Sequence, residues 1–362
     1  MKIGNLDIGQ KLFLAPMAEV TDSSFRNACK EQGAGITFTQ MVSAEGVIKN
    51  NFESLRILSF SRNEKPIGVQ VLGNDTAIIG EAVKEISRLK PDLIDLNCGC
   101  SVDKVTSCNM GSALLDDPKH IGKLTRIMVD NAGDIPISVK LRLGKDRNHI
   151  NVFDTTKAVE ESGGSLVVIH ARARNDKYDT EPDWSWIRKA KEKLNIPVVG
   201  NGTVFSPQDA KRMIEETRCD SVMVARGALG NPFIFSRYQK FIETGSDPGM
   251  PGINSVKEVL VKHINSIELD LGEVVALDRA KKQAVWYLKD YPGINLLLEN
   301  VFRVRNFDSL RSLINEHTAK ISCGVLGEAD KTDVINKFKK KVLFWLADEK
   351  SPVEDRTHKV LK

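Results

Sequence analysis

The sequence has no apolar run long enough to cross a bilayer, and its first residues, MKIGNLDIG, lack the charged-then-apolar pattern of a secretory signal. A cytoplasmic protein without membrane attachment is therefore expected. Cysteine is scarce. The six residues Cys29, Cys98, Cys100, Cys108, Cys219 and Cys323 follow neither a disulfide-scaffold nor a zinc-ribbon spacing. Cys98, Cys100 and Cys108 find no fourth ligand at a usual spacing, so no metal centre is expected and the thiols should be reduced. An excess of charge is also missing. Lys+Arg of 52 against Asp+Glu of 48 leaves +4, so a nucleic-acid partner would need a local basic face. No GxGxxG follows a strand, which argues against FAD or tightly bound NAD of the Rossmann kind.

What the chain does have is a repeated unit. Eight short apolar runs read as strands: 12–15, 35–39, 67–71, 93–96, 137–141, 166–170, 196–200 and 221–225. They are continuous rather than alternating in polarity, as strands of a parallel sheet buried on both faces are. Helical patterns separate them, with Thr21-Asp22-Ser23 and Asn74-Asp75 as caps and helices over 24–32, 74–89, 112–131, 152–162, 184–194 and 207–216. Eight such units in some 240 residues predict an α/β fold, a (β/α)8 TIM barrel. A doubly wound open sheet is the rival. Polar residues at nearly every strand end favour the barrel, which gathers all eight ends into one ring. Past the PGMPG linker at 248–252 only helical periods follow, over 256–271, 276–291, 294–304, 307–316 and 331–347. The expected organisation is a barrel domain over 1–245, a smaller all-helical C-terminal domain over 250–350 and a polar tail over 351–362. Basic groups in the helical part are Arg279-Lys281-Lys282, Arg303-Arg305-Arg311 and Lys337-Lys339-Lys340-Lys341, the last a solvated face.

The ring of strand ends carries the chemistry. The fourth strand runs into Asn97-Cys98-Gly99-Cys100, where Gly99 allows a tight turn and Cys100 is presented at the tip; an amphipathic helix is expected near Met110–Leu115. Strands seven and eight end in Gly200-Asn201-Gly202 and Ala225-Arg226-Gly227, the usual phosphate position of this fold, with Arg226 as a bidentate donor. Lys140 and Gln70 offer a cation and an amide from inside the ring, which suits an anionic heteroaromatic ring such as reduced flavin, and His170 is a further partner. Together they point to FMN.

The sequence resembles the dihydrouridine synthase family, flavoenzymes that reduce uridine in tRNA. The carriers are Ala15-Pro16-Met17-Ala18 with Thr21-Asp22-Ser23-Ser24-Phe25-Arg26, then Gly68-Val69-Gln70, then Asp95-Leu96-Asn97-Cys98-Gly99-Cys100 with Gly111-Ser112-Ala113-Leu114-Leu115. Further carriers are Val139-Lys140-Leu141-Arg142, His170-Ala171-Arg172-Ala173-Arg174, Tyr178, Asp183-Trp184, Gly200-Asn201-Gly202 and Ala225-Arg226-Gly227-Ala228-Leu229-Gly230-Asn231-Pro232. They run in order through residues 10–240.

The resemblance implies FMN reduced by NADPH or NADH, hydride transfer to C6 of uracil and a proton to C5 from Cys100 rather than Cys98. It implies Pro16, Met17 and Ala18 lining the flavin, with Gln70, Lys140 and His170 at its ring. Asn201, Gly202, Thr203, Ala225 and Arg226 would hold its phosphate, Asn97 the uracil edge or its cofactor neighbour, and Arg172 and Tyr178 the extruded nucleotide. Lys281 and Lys282, beside Trp286 and Tyr287, are expected to grip the tRNA from a monomeric enzyme. The chain departs from the family pattern at Ser101 (usually proline), Ala171 and Ala173 (in place of His-Gly-Arg-Thr) and Thr203 (in place of Asn-Gly-Asp), and 106–110 lacks the usual glycines. Three other readings compete: an FMN enzyme acting on a free pyrimidine, as dihydroorotate dehydrogenase does; a synthase acting on ribosomal RNA; and a catalytically idle RNA-binding paralogue. The helical domain argues against the first, and Cys100 with Lys140 and Gln70 against the last.

Overall fold

The structure is a computed structural model that describes residues 1–326 apart from Asn5 and Gly272. The expected helix over 331–347, its lysines Lys337, Lys339, Lys340 and Lys341, and the tail over 351–362 lie outside the described residues. The chain forms two compact units, Met1–Ala225 and one that begins at Arg226.

The first unit is a parallel barrel. Its strands are β1 (Phe13–Leu14), β2 (Thr37–Phe38), β3 (Ile67–Leu72), β4 (Leu93–Cys98), β5 (Ile137–Arg142), β6 (Leu166–His170), β7 (Val198–Asn201) and β8 (Ser221–Val224). Pairing runs β1-β8-β7-β6-β5-β4-β3-β2. Two backbone bonds close the ring between β1 and β2, Leu14 N to Ile36 O at 2.9 Å and Gly35 N to Leu12 O at 2.8 Å. The open-sheet alternative is thereby excluded.

Period-two alternation sorts each strand. Ile94, Leu96 and Cys98 of β4 lie on one face, Leu93, Asp95 and Asn97 on the other, and all six are buried. One buried apolar cluster joins Phe13, Phe38, Leu93, Leu166, Val168, Val199 and Met223 with Ile3 and Ile8 of the N-terminal segment. Apolar side chains thus fill one end of the barrel, and the polar positions that follow them along each strand are left for the other end.

Helices follow the strands as expected, with differences that have local causes. The first runs Ser23–Glu31 with Asp22 as N-cap, its side chain accepting from Phe25 N. Asp75 caps Thr76–Arg88 in the same way through Ile78 N. The single helix expected over 112–131 is two elements. Gly111–Asp116 is a 3-10 helix, and Asp117 then caps a new helix, Pro118–Asn131. Pro118 cannot continue a helix but fits its first position. Two short helices between β2 and β3, Ala44–Ile48 and Phe52–Leu58, were not foreseen; both are shorter than a readable period.

The second unit is helical: Ile234–Thr244, Ile253–Leu271, Glu273–Leu288, Ile294–Val301 and Phe307–Ser322. Val256, Leu260, Ile264 and Ile267 form a buried stripe along the second of these, and Leu297, Leu298, Val301, Phe307, Leu310 and Ile314 are buried on the last two. Gly230, at φ 65°, lies against the backbone of the third helix, where a Cβ would collide with the carbonyl carbon of Trp286. Among the described residues no helix is long and apolar enough to cross a membrane.

Candidate active site

The strand register assembles the site. Gln70 of β3 lies opposite Asp95 of β4, Asp95 opposite Ser138 of β5, and Asn97 opposite Lys140. His170 of β6 stands between Arg142 of β5 and Asn201 of β7. Because these positions are two apart within each strand, they share the barrel's inner face. Of the residues expected from sequence, Gln70, Asn97, Cys100, Lys140, His170 and Asn201 are brought together here.

A hydrogen-bond chain crosses the layer. The Asp95 carboxylate accepts from Ser138 Oγ at 2.5 Å and from Gln70 Nε2 at 2.7 Å. Gln70 Oε1 accepts from Asn97 Nδ2 at 2.8 Å. Asn97 Oδ1 then accepts two backbone N–H groups, Gly99 at 3.1 Å and Cys100 at 2.9 Å. The thiol loop is held at its other carbonyls too: Gly99 O accepts from Arg142 Nε at 2.8 Å, and Cys100 O from Ser112 N at 2.8 Å. Gly99 is not in the left-handed region and has room for a Cβ. The glycine this loop needs is Gly111, at φ 62°, where a Cβ would lie 2.6 Å from Cys100 O.

Burial sets the charges. It pushes Asp95 up to about 6, against the lowering effect of its bonds from Gln70 and Ser138 and of the Lys140 charge. Burial, then Arg142, brings Lys140 down to about 8, while Asp95 and Cys100 act the other way. Burial also raises the Cys100 thiol, opposed by a Val102 backbone bond, Arg142 and Lys140. Cys100 is therefore a protonated thiol at neutral pH, suited to giving a proton rather than to nucleophilic attack. The Lys140 ammonium has one hydrogen-bond partner among the described residues, Asn201 Oδ1 at 3.4 Å. A buried cation with donors to spare fits the negatively charged edge of a reduced flavin. One Gln70 Nε2 hydrogen is likewise left over.

Arg142 belongs to this arrangement, although sequence reasoning missed it. It is buried, bonds Gly99 O, donates Nη1 to Ala173 O at 2.9 Å, and stands 5.7 Å from the Tyr178 ring centroid. Asp95 was missed as well. The signal for both is the same: a second polar residue two positions from the first in an otherwise apolar strand.

Arg172 lies inside the loop after β6. It was expected to meet a nucleotide, yet it is buried and its donors are used within the chain: Nε to Thr180 O at 2.6 Å, Nη2 to Tyr178 O at 3.0 Å and to Thr203 Oγ1 at 2.8 Å, with Nη1 3.2 Å from His170 Nε2. It ties down the loop after β6. Tyr178 on that loop is 38% exposed, and its ring stacks at 6.4 Å and 22° on His170. Thr203 occupies the left-handed region at φ 53°, a strained place for a β-branched residue. Asn201 Nδ2 donates to Met223 O at 2.7 Å, joining the tips of β7 and β8. Gly202 is buried and Ala225 half-buried. Arg226 is the first residue of the second unit. At the end of β1, Pro16 and Ala18 are half-buried and Met17 buried, its N–H bonded to Thr21 Oγ1 at 3.0 Å.

The expected basic and aromatic grip in the helical unit is mostly covered. Lys281 is 7% exposed with its ammonium 3.8 Å from the Asp278 carboxylate; Trp286 and Tyr287 are buried, and Lys282 is half-buried. Tyr287 OH lies 3.2 Å from His263 Nδ1, so it belongs to the unit's core.

The family model for dihydrouridine synthase (Dus) matches residues 13–320. The tRNA-dihydrouridine synthase B of Pseudomonas aeruginosa is 32% identical over 320 residues, 88% of this chain and 96% of that protein. The probable tRNA-dihydrouridine synthase of Rickettsia conorii is 33% identical over 294 residues, 81% of this chain and 88% of that one. Among solved structures, the old yellow enzyme homologue from Zymomonas mobilis superposes with a TM-score of 0.50 at 11% identity, covering 71% of this chain and 94% of that one. Histamine dehydrogenase from Rhizobium sp. 4-9 does so at 0.54 and 15%, covering 73% of this chain and 50% of that one. At such identities these two speak for the fold alone. The family match runs from β1 through the last described helix, and on that ground the chain belongs to the dihydrouridine synthase family.

Proposed function

We propose that this protein reduces uridine in tRNA to 5,6-dihydrouridine, with FMN as cofactor and NADPH or NADH as its reductant. The observation that carries the reading is the Cys100 thiol, kept protonated by burial and fixed through its backbone at the barrel mouth beside Lys140. Family membership and the names of the curated relatives supply the substrate.

Pro16, Met17 and Ala18 would line the cofactor, Gln70, Lys140 and His170 would meet its ring, and Asn201, Gly202, Thr203, Ala225 and Arg226 its phosphate. When bound, the flavin supplies the hydride that goes to C6 of the uracil. The electron pair released from the C5–C6 bond takes the Cys100 proton at C5, and the resulting thiolate regains a proton from solvent. Lys140 and Arg142 both favour that thiolate electrostatically. Asn97 would hold the uracil edge or the neighbouring cofactor. Tyr178 would stack on the extruded base, whose unstacking costs about a few kcal/mol. Arg172 would serve by holding the Tyr178 loop.

Cys100→Ala should leave flavin reduction by NADPH intact and lower dihydrouridine formation by roughly a hundredfold or more. Cys98→Ala, buried on the opposite face of β4, should change little. Dihydrouridine mapping in RNA from cells with and without the gene tests the substrate. Loss of the modification from ribosomal RNA alone, or turnover of a free pyrimidine by the purified enzyme, would overturn the tRNA assignment.

A further inference from the structure

We propose that Asp95 is a positioning residue for Cys100, acting through the neighbouring strand by fixing the direction of the hydrogen bonds that hold the thiol loop. The carboxylate at one end of that chain only accepts and the backbone N–H groups at the other only donate, but the amide-to-amide link between Gln70 and Asn97 can point either way. An amide side chain turned by 180° exchanges its donor for its acceptor with little change of shape. Gln70 and Asn97 are both amides, so nothing in their own chemistry tells Asn97 to present oxygen rather than nitrogen to the N–H groups of Gly99 and Cys100.

An ionised carboxylate removes the ambiguity because it only accepts. Asp95 therefore takes a hydrogen from Gln70 Nε2 at 2.7 Å. That turns Gln70 Oε1 toward Asn97, which must answer with Nδ2 at 2.8 Å. Asn97 Oδ1 is then the atom left facing the loop, where two backbone donors meet it. A reversed Asn97 would set its own N–H against two others and release both. Ser138 satisfies the second Asp95 oxygen at 2.5 Å, Asp95 is wholly buried, and its remaining influence is the charge it shows to Lys140. Asp95 touches neither the thiol nor, in the site described above, a reactant. Its effect on chemistry passes through Cys100, and that part rests on the function proposed above.

Amide hydrogen exchange of the full-length protein, resolved to Gly99 and Cys100 with Leu96 and Ile94 as internal references, reads the chain directly. Asp95→Leu should speed exchange at Gly99 and Cys100 by about tenfold while the reference amides keep their rates. Asp95→Asn puts a reversible amide where the accept-only carboxylate stood, and should speed exchange at Gly99 and Cys100 to a rate between wild type and Asp95→Leu. Gln70→Leu removes the middle link with Asp95 in place and should match Asp95→Leu; it decides the matter if Asp95→Leu fails to fold. Unchanged exchange at Gly99 and Cys100 in Gln70→Leu overturns the proposal, and so does an Asp95→Asn variant as tight as wild type. In steady-state RNA reduction, Asp95→Leu should lower kcat and leave KM alone. Loosened exchange with unaltered kcat would support the positioning and count against Cys100 as the proton donor.

Discussion

A carboxylate cut off from water is most costly when ionised, and Asp95 is a measurable case. Its folded value, about 6, lies above the ordinary 3.8. The stabilising contribution of the protonated form is thus complete below about pH 4 and lost as pH rises through 6. That displacement is worth roughly 3 kcal/mol. Asp95→Asn, which cannot ionise, should melt above wild type at pH 7.5, with the gap closing toward pH 4; thermal unfolding at a series of pH values checks it. Lys140→Met should keep a bound flavin but slow its reduction by about a hundredfold, because the cation matters most to the anionic reduced state. Stopped-flow flavin bleaching measures this. At the scale of single residues the sequence was readable where a polar side chain interrupts an apolar strand, as Gln70, Lys140 and His170 do. The surroundings of Arg172 were not legible, because a string of residues does not say where a guanidinium's donors go, and here they go to Thr180 O, Tyr178 O and the Thr203 hydroxyl.

Elements were the most readable level. All eight strands announce themselves as short continuous apolar runs, and Asp22 and Asp75 mark helix starts by side-chain capping. The helices Ala44–Ile48 and Phe52–Leu58 escaped because one or two turns carry too few apolar repeats to register. Gly230 illustrates a second limit: its motif was noted, but the helix backbone it lies against comes more than fifty residues later, at Trp286. Gly230→Ala combines a left-handed φ with a backbone clash and should cost well over about 1 kcal/mol. The expected readout is a lower melting temperature, with helical signal lost first from peptides of the second unit in hydrogen exchange.

For the molecule as a whole, a net charge of +4 leaves RNA affinity to local groups. Of the two lysines expected to grip tRNA, Lys281 is covered and close to Asp278. Lys282→Ala should therefore lower the log–log salt slope of tRNA binding by roughly 0.7–0.9, the loss of one phosphate contact, whereas Lys281→Ala should leave the slope in place. Filter binding at several salt concentrations separates the two. The closure of the barrel has a further consequence, for how the protein is made. β1 pairs with β8, Leu14 beside Val224, so the first barrel strand to leave the ribosome is bonded to the last. At about 5–20 residues per second the intervening segment takes roughly 10–40 s to synthesise. Throughout that interval Phe13 and Leu14 lack the strand that will pair with theirs, so the ring can close only after nearly the whole first unit has been made.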